Sequence, residues 1–127
     1  MAIQRGKMKK APAKELVDYL IRPAIATDLE RSYQTLLDIN KAHVLMLAKQ
    51  GIIEKDVAKQ ILQVTQDIAG MQAHPEFEII PDVEDLYFNF ERYLIKRTSL
   101  EIGGQQHTAR SRNDMFATEI RYDTRRY

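Results

Sequence analysis

The sequence contains no cysteine and no tryptophan, only five glycines and four prolines among 127 residues. Without cysteine there is no disulfide and no thiolate metal site, which fits a cytoplasmic location. No stretch approaches the run of about twenty apolar residues that a membrane-spanning helix requires. No apolar segment of the signal-peptide kind follows the N-terminal charges. The formal net charge is only +1, so no field across the whole chain argues for a nucleic-acid or membrane partner. There is no histidine pair at metal-ligand spacing, no phosphate-binding Walker loop and no nucleophile elbow. Neither a metal nor a cofactor is expected. No internal repeat or low-complexity tract is present.

What is present is abundant charge and helical periodicity, in a chain long enough for one domain with a modest core. The charge is uneven: Arg5, Lys7, Lys9, Lys10 and Lys14 stand against no acidic residue in the first fourteen positions. Residues 1–22 read as a basic, poorly ordered segment. Residues 23–127 read as one helical domain, and the fold class is all-α.

Four helices are expected, near 27–50, 54–73, 83–97 and 114–127. The first opens at Thr27, where "TDLE" has the capping-box spacing and Pro23 lies just upstream. Ile25, Leu29, Tyr33, Leu36, Ile39, His43 and Leu47 then recur at steps of three or four. His43 on this face reads as a core-packing residue. Gly51 is a natural helix end. In the second helix Val57, Ile61, Val64, Ile68 and Met71 form a stripe that asks for a partner, and the short link from Gly51 to Glu54 makes the two an antiparallel hairpin. "PEFEIIP" reads as an extended connection. Asp82 precedes the third helix, whose face is Val83, Leu86, Phe90 and Leu94, with Tyr87 and Tyr93 flanking it. Glu84 and Asp85 read as helix-start charges. Phe116, Ile120 and Tyr127 follow helical spacing in the fourth, as do Met115 and Tyr122. Its pattern runs on to Tyr127 without a stop signal, as expected of the front part of a longer protein.

The stretch that plain helix connections do not require is "GGQQHTARSRND", Gly103 to Asp114. Gly103 and Gly104 suit a turn at positive φ. Ser111 with Asp114 three residues later, or Asn113 directly, can cap the next helix. A helix start favours anions, and Arg110 and Arg112 can each grip a carboxylate through two parallel hydrogen bonds. Thr108, Ser111 and Asn113 add neutral donors. Two readings stand side by side: a site for a carboxylate or phosphate, and a capped turn with no ligand. His107 is of the residue type that most often serves as acid or base, but no partner for it is visible in the sequence.

Together "HTARSRND", the preceding Gly103-Gly104 and the upstream "EDLYFNFERYL" resemble the N-terminal part of the argininosuccinate lyase family, within the fumarase/aspartase superfamily. Glu84, Asp85, Leu86, Glu91 and Leu94 match that family's first segment, and His107, Thr108, Arg110, Ser111, Arg112, Asn113 and Asp114 its second. "KQGIIEKDVAKQI" resembles its helix connection. The resemblance implies the N-terminal helical domain of a helix-bundle lyase, a homotetramer when complete, acting on a small molecule: argininosuccinate loses fumarate reversibly and leaves arginine. Arg112, Asn113 and Ser111 would be substrate-binding. The acid and base of the family match nothing before Tyr127, so the chain alone is expected to be inactive, with no catalytic residue of its own. Several departures matter: the family's first-segment His is Tyr87 here, its substrate-contacting Ser is Ala24, its Gly before the first arginine is Ala109, and its Gly-Gly-Arg-Phe near the N-terminus has no match. They leave open a divergent lyase acting on another N-substituted aspartate, or a non-enzymatic structural or interaction protein on the same scaffold.

Overall fold

The protein is described by a computed structural model over residues 11–81 and 85–126. Of the residues singled out above, Arg5, Lys7, Lys9, Lys10, Asp82, Val83, Glu84 and Tyr127 lie outside the described residues. The rest is all helix and connection, as the periodicity predicts, with no strand among the described residues.

Helix runs almost unbroken from Lys14 to Lys49. A short turn α1 (Lys14–Leu16) passes through a wide turn at Val17–Ile21 into α2 (Arg22–Arg31), and α3 (Tyr33–Lys49) follows. The helical start expected at Thr27 is not there. Pro23 follows closely on the wide turn at Val17–Ile21, at the start of α2, where the α-helical hydrogen-bond ladder is already interrupted and a missing N–H is tolerated. Thr27 is inside the helix and donates its hydroxyl to the Pro23 carbonyl. The discontinuity falls instead at Ser32, where φ is −106° and ψ −6°. The Ser32 amide still bonds to Asp28 and its carbonyl accepts from Leu36.

Gly51, at φ +68°, ends α3 in the left-handed region, as a glycine there should. The chain returns as α4 (Lys55–Gly70), which packs along α3. Gln72 and Ala73, both at positive φ, close α4 off. An extended connection leads to α5 (Leu86–Arg97), capped by Asp85, whose carboxylate accepts the Phe88 amide. Asn89 pins that connection to α5, with its side chain bonded to both the amide and the carbonyl of Ile80. The short α6 (Leu100–Gly103) and one tight turn, Gly104–His107, lead to α7 (Arg112–Thr124).

The core is where the sequence stripes converge. Leu36, Leu37, Val44 and Leu47 of α3 meet Ile61, Val64 and Ile68 of α4 and Leu86, Phe90 and Leu94 of α5. Each such side chain contributes about 1.5–3 kcal/mol by leaving water. The Tyr33 ring meets Phe90 edge-on at 5.1 Å, and its hydroxyl reaches the Ile68 carbonyl at 2.6 Å. Tyr87 is a core residue, only 1 % exposed, and not a flanking one. In α7 the two candidate stripes resolve clearly: Met115 is buried and Tyr122 bonds Asp38 of α3, whereas Phe116 and Ile120 are exposed. No helix among the described residues is long and apolar enough to cross a membrane.

Candidate functional site

The segment from Gly103 to Asp114 begins in helix. Gly103 and Gly104 both have helical φ, −65° and −62°, so the positive-φ turn expected of them is absent. Gly103 is needed for proximity: a β-carbon there would stand 2.8 Å from Thr98 Oγ1 and 3.1 Å from the Ile95 α-carbon. That contact seats α6 against the end of α5.

The turn comes later. The Arg110 amide donates to the His107 carbonyl at 3.3 Å, Thr108 has φ −59° and ψ 130°, and Ala109 has φ +54°. These are the marks of a type II turn, whose third position favours glycine. Ala109 occupies it at a steric cost. Beyond it, Ser111 caps α7 through a complete capping box: its hydroxyl oxygen accepts the Asn113 amide at 3.2 Å, and Asp114 accepts the Ser111 amide at 2.9 Å. Of the two caps the sequence allowed, the Ser–Asp pair forms.

The side chains divide into two groups. One faces inward and ties the loop to the core. Arg110 donates to the Asn40 side-chain oxygen and, at 3.4 Å, to the Ile39 carbonyl. His43 donates through Nε2 to the Thr108 carbonyl at 2.9 Å. This corrects the reading of His43 as plain core packing: it is half-buried and holds the loop. Burial, and then the neighbouring Arg110 charge, lower its pKa below the ordinary histidine value, which favours the neutral ring. His107, partnerless in the sequence, has its Nδ1 2.9 Å from the Tyr87 hydroxyl and 3.8 Å from Glu91. Burial, and then the Glu91 charge, push Tyr87 up to about 12, so it keeps its proton.

The other group lies at the start of α7. Arg112 Nη1 is 3.2 Å from Asp85 Oδ2, while Asp85 Oδ1 accepts the Phe88 amide at 2.9 Å. One carboxylate therefore caps α5 and aims the Arg112 guanidinium. The Arg112 guanidinium also lies 5.8 Å from the Phe116 ring centre. Asn113 and Ser111 are exposed beside it. Ala24 is an exposed residue of α2. Among the described residues no cluster of histidine and acidic side chains is arranged to hold a metal ion. The Asp85–Arg112 link was invisible in the sequence, since its partners are 27 positions apart; the family match at Asp85 was the only signal.

An open groove of about 300 Å³ runs beside the loop, between α3 and α7. Asp38, His43, Arg110, Asp114 and Tyr122 supply its polar lining, and Ile39, Ala42 and Met115 its apolar part.

Comparison with known proteins places the same segments in a family context. A family model described as lyase matches residues 24–126. Argininosuccinate lyase 1 of Shouchella clausii is 45 % identical over 91 % of this chain and 23 % of its own length. Argininosuccinate lyase of Haloarcula marismortui is 35 % identical over 97 % of this chain and 22 % of its own. That of Methanocaldococcus jannaschii is 32 % identical over 94 % and 24 %. The chain thus spans about a quarter of the length of these relatives. No solved structure matches it. The resemblance carried by the Gly103–Asp114 loop therefore extends along nearly the whole chain, and the chain belongs to the lyase family.

Proposed function

We propose that this chain is the N-terminal helical domain, residues 23–127, of an argininosuccinate lyase, and that the start of α7 holds a carboxylate of the substrate. The reaction is the reversible elimination of fumarate from argininosuccinate, leaving arginine. A base removes a proton beside a carboxylate, negative charge builds on that carboxylate, and the C–N bond then breaks. Donors aimed at the growing charge lower the barrier most when they are fixed in advance.

The observation that carries this reading is the Asp85–Arg112 pair at a capped helix start. Asp85 orients the guanidinium before any ligand arrives. The α7 backbone dipole favours an anion there. Asn113 presents a side-chain amide from the first turn, and the Ser111 hydroxyl, whose oxygen accepts for the cap, still has its proton to donate. We assign no catalytic acid or base to this chain, and the elimination requires no cofactor. The exposed Phe116 and Ile120 on α7 support further helices packing there, in a homotetrameric bundle. A cytoplasmic location, with no nucleic-acid or membrane partner, accords with the cysteine-free, nearly neutral composition.

Tyr87 and Ala24 favour a second reading of the substrate. They replace an ionisable ring and a hydroxyl donor, which fits a lyase acting on another N-substituted aspartate. The test is an exchange of residues 24–126 into the Shouchella clausii enzyme, followed by fumarate absorbance. Fumarate release from argininosuccinate by the correctly assembled exchange protein is expected, and none from the 127-residue chain by itself. A well-assembled exchange protein that releases no fumarate would overturn the argininosuccinate reading.

A further inference from the structure

The loop carries two arginines two positions apart, and the structure gives them different surroundings. Both terminal nitrogens of Arg110 point inward, Nη1 to the Asn40 oxygen and Nη2 to the Ile39 carbonyl. Asn40 is 2 % exposed, in the middle of α3. The Arg110 guanidinium also lies 5.9 Å from the Tyr87 ring centre. Three groups on two core helices thus converge on one side chain. A carboxylate clamp needs a pair of parallel N–H bonds facing the ligand, and the Nη1–Nη2 edge of Arg110 is already occupied.

We propose that Arg110 is a positioning residue: it transfers the placement of α3 and Tyr87 to the Ser111–Asn113 start of α7 and does not itself grip the substrate. This rests on the carboxylate reading of that helix start. The loop needs such an anchor for a local reason. Its turn passes through Ala109 at φ +54°, a conformation alanine leaves readily unless the flanking residues hold it. Arg110 follows Ala109 directly, and His43 fixes Thr108 just before it. The turn is clamped on both sides to the same helix, α3.

Two measurements test this. The first uses amide hydrogen exchange on the 127-residue chain. Asn40→Leu removes the acceptor at nearly constant size, and Asn40→Asp keeps it. Asn40→Leu and Arg110→Lys should each speed exchange of the Arg110 and Ser111 amides by about tenfold, with Ile61 and Val64 unchanged. The double variant should be no faster than either single one, and Asn40→Asp should behave as wild type. Unchanged loop exchange in Asn40→Leu, or effects that simply multiply, would overturn the proposal. A variant that also loosens Ile61 and Val64 has unfolded globally; Asn40→Asp with Arg110→Lys then decides alone, and a wild-type loop in Arg110→Lys overturns it.

The second measurement is kinetic, in the exchange protein described above. Asn40→Leu should lower kcat/KM about tenfold, in a manner non-additive with Arg110→Lys. A silent Asn40→Leu beside a damaging Arg110→Lys would put Arg110 on the substrate and refute the positioning role. If the parent exchange protein is inactive, the lyase reading has failed, while the exchange of the loop amides still decides what Arg110 does.

Discussion

The Tyr87 hydroxyl lies 2.9 Å from Nδ1 of His107, joining a core position of α5 to the turn that precedes the loop. The Arg110 guanidinium lies 5.9 Å from the centre of the same ring. Tyr87 thus serves as a neutral link from α5 to the loop. Tyr87→Phe removes that link without emptying the core. It should cost about 1–2 kcal/mol in urea denaturation and should shift the imidazole resonances of His107. A variant with wild-type stability and unmoved His107 signals would show that the contact contributes nothing.

The glycines of the loop make opposite predictions. Gly103→Ala places a methyl group 3.1 Å from backbone at Ile95 and should destabilise by about 1–3 kcal/mol. Gly104→Ala meets its nearest atom, the Leu100 Cδ1, at 3.6 Å. With a helical φ it should be neutral or stabilising by up to about 1 kcal/mol. Equal unfolding midpoints for the two variants would contradict the packing described for α6.

Ala109 predicts the reverse substitution. Its φ of +54° suits glycine, so Ala109→Gly should raise stability by about 1 kcal/mol, read as a higher denaturation midpoint. A lower midpoint would mean that the turn is not left-handed at this residue.

Asp28 sets a pH dependence. Burial, then the charges of Glu119 and Asp85, raise its pKa to about 6. Burial also raises Glu119. A carboxyl whose folded pKa lies above its unfolded value binds more protons in the folded state. Its contribution to stability therefore falls as pH rises from about 4 to about 6. Asp28→Asn mimics the protonated form. It should stabilise above pH 6 by about 1 kcal/mol, the full value of the shift being discounted for solvent screening, and by nothing near pH 3.5. A difference between variant and wild type that stays constant over this range would contradict the placement of Asp28.

The helical stripes of α3, α4 and α5 were legible because each is a local repeat of apolar residues. The Gly51 ending and the Ser111–Asp114 cap were legible because each needs only neighbours in sequence. Pro23 misled, because the chain stays helical on both sides of it: the wide turn at Val17–Ile21 just before it already interrupts the α-helical hydrogen bonds. Gly103 misled in a related way: glycine can mean positive φ or close approach, and only the position of Ile95 decides between them. The partners of His43, Arg110 and His107 were not legible, since they lie 65, 70 and 20 positions away. Sequence pattern could nominate the loop, but only the packing of α3 and α5 beneath it separates anchoring side chains from presented ones.

The measurement that tests the central claim most directly is the kinetics of Arg112→Lys in the exchange protein. Lysine keeps the charge and loses the planar fork. If the start of α7 holds the carboxylate as charge builds on it, kcat and kcat/KM should fall together, by about a hundredfold. Asn113→Ala should behave in the same way, with folding stability measured alongside. Wild-type kinetics from both variants would reduce the Ser111–Asn113 segment to a helix cap and contradict the account.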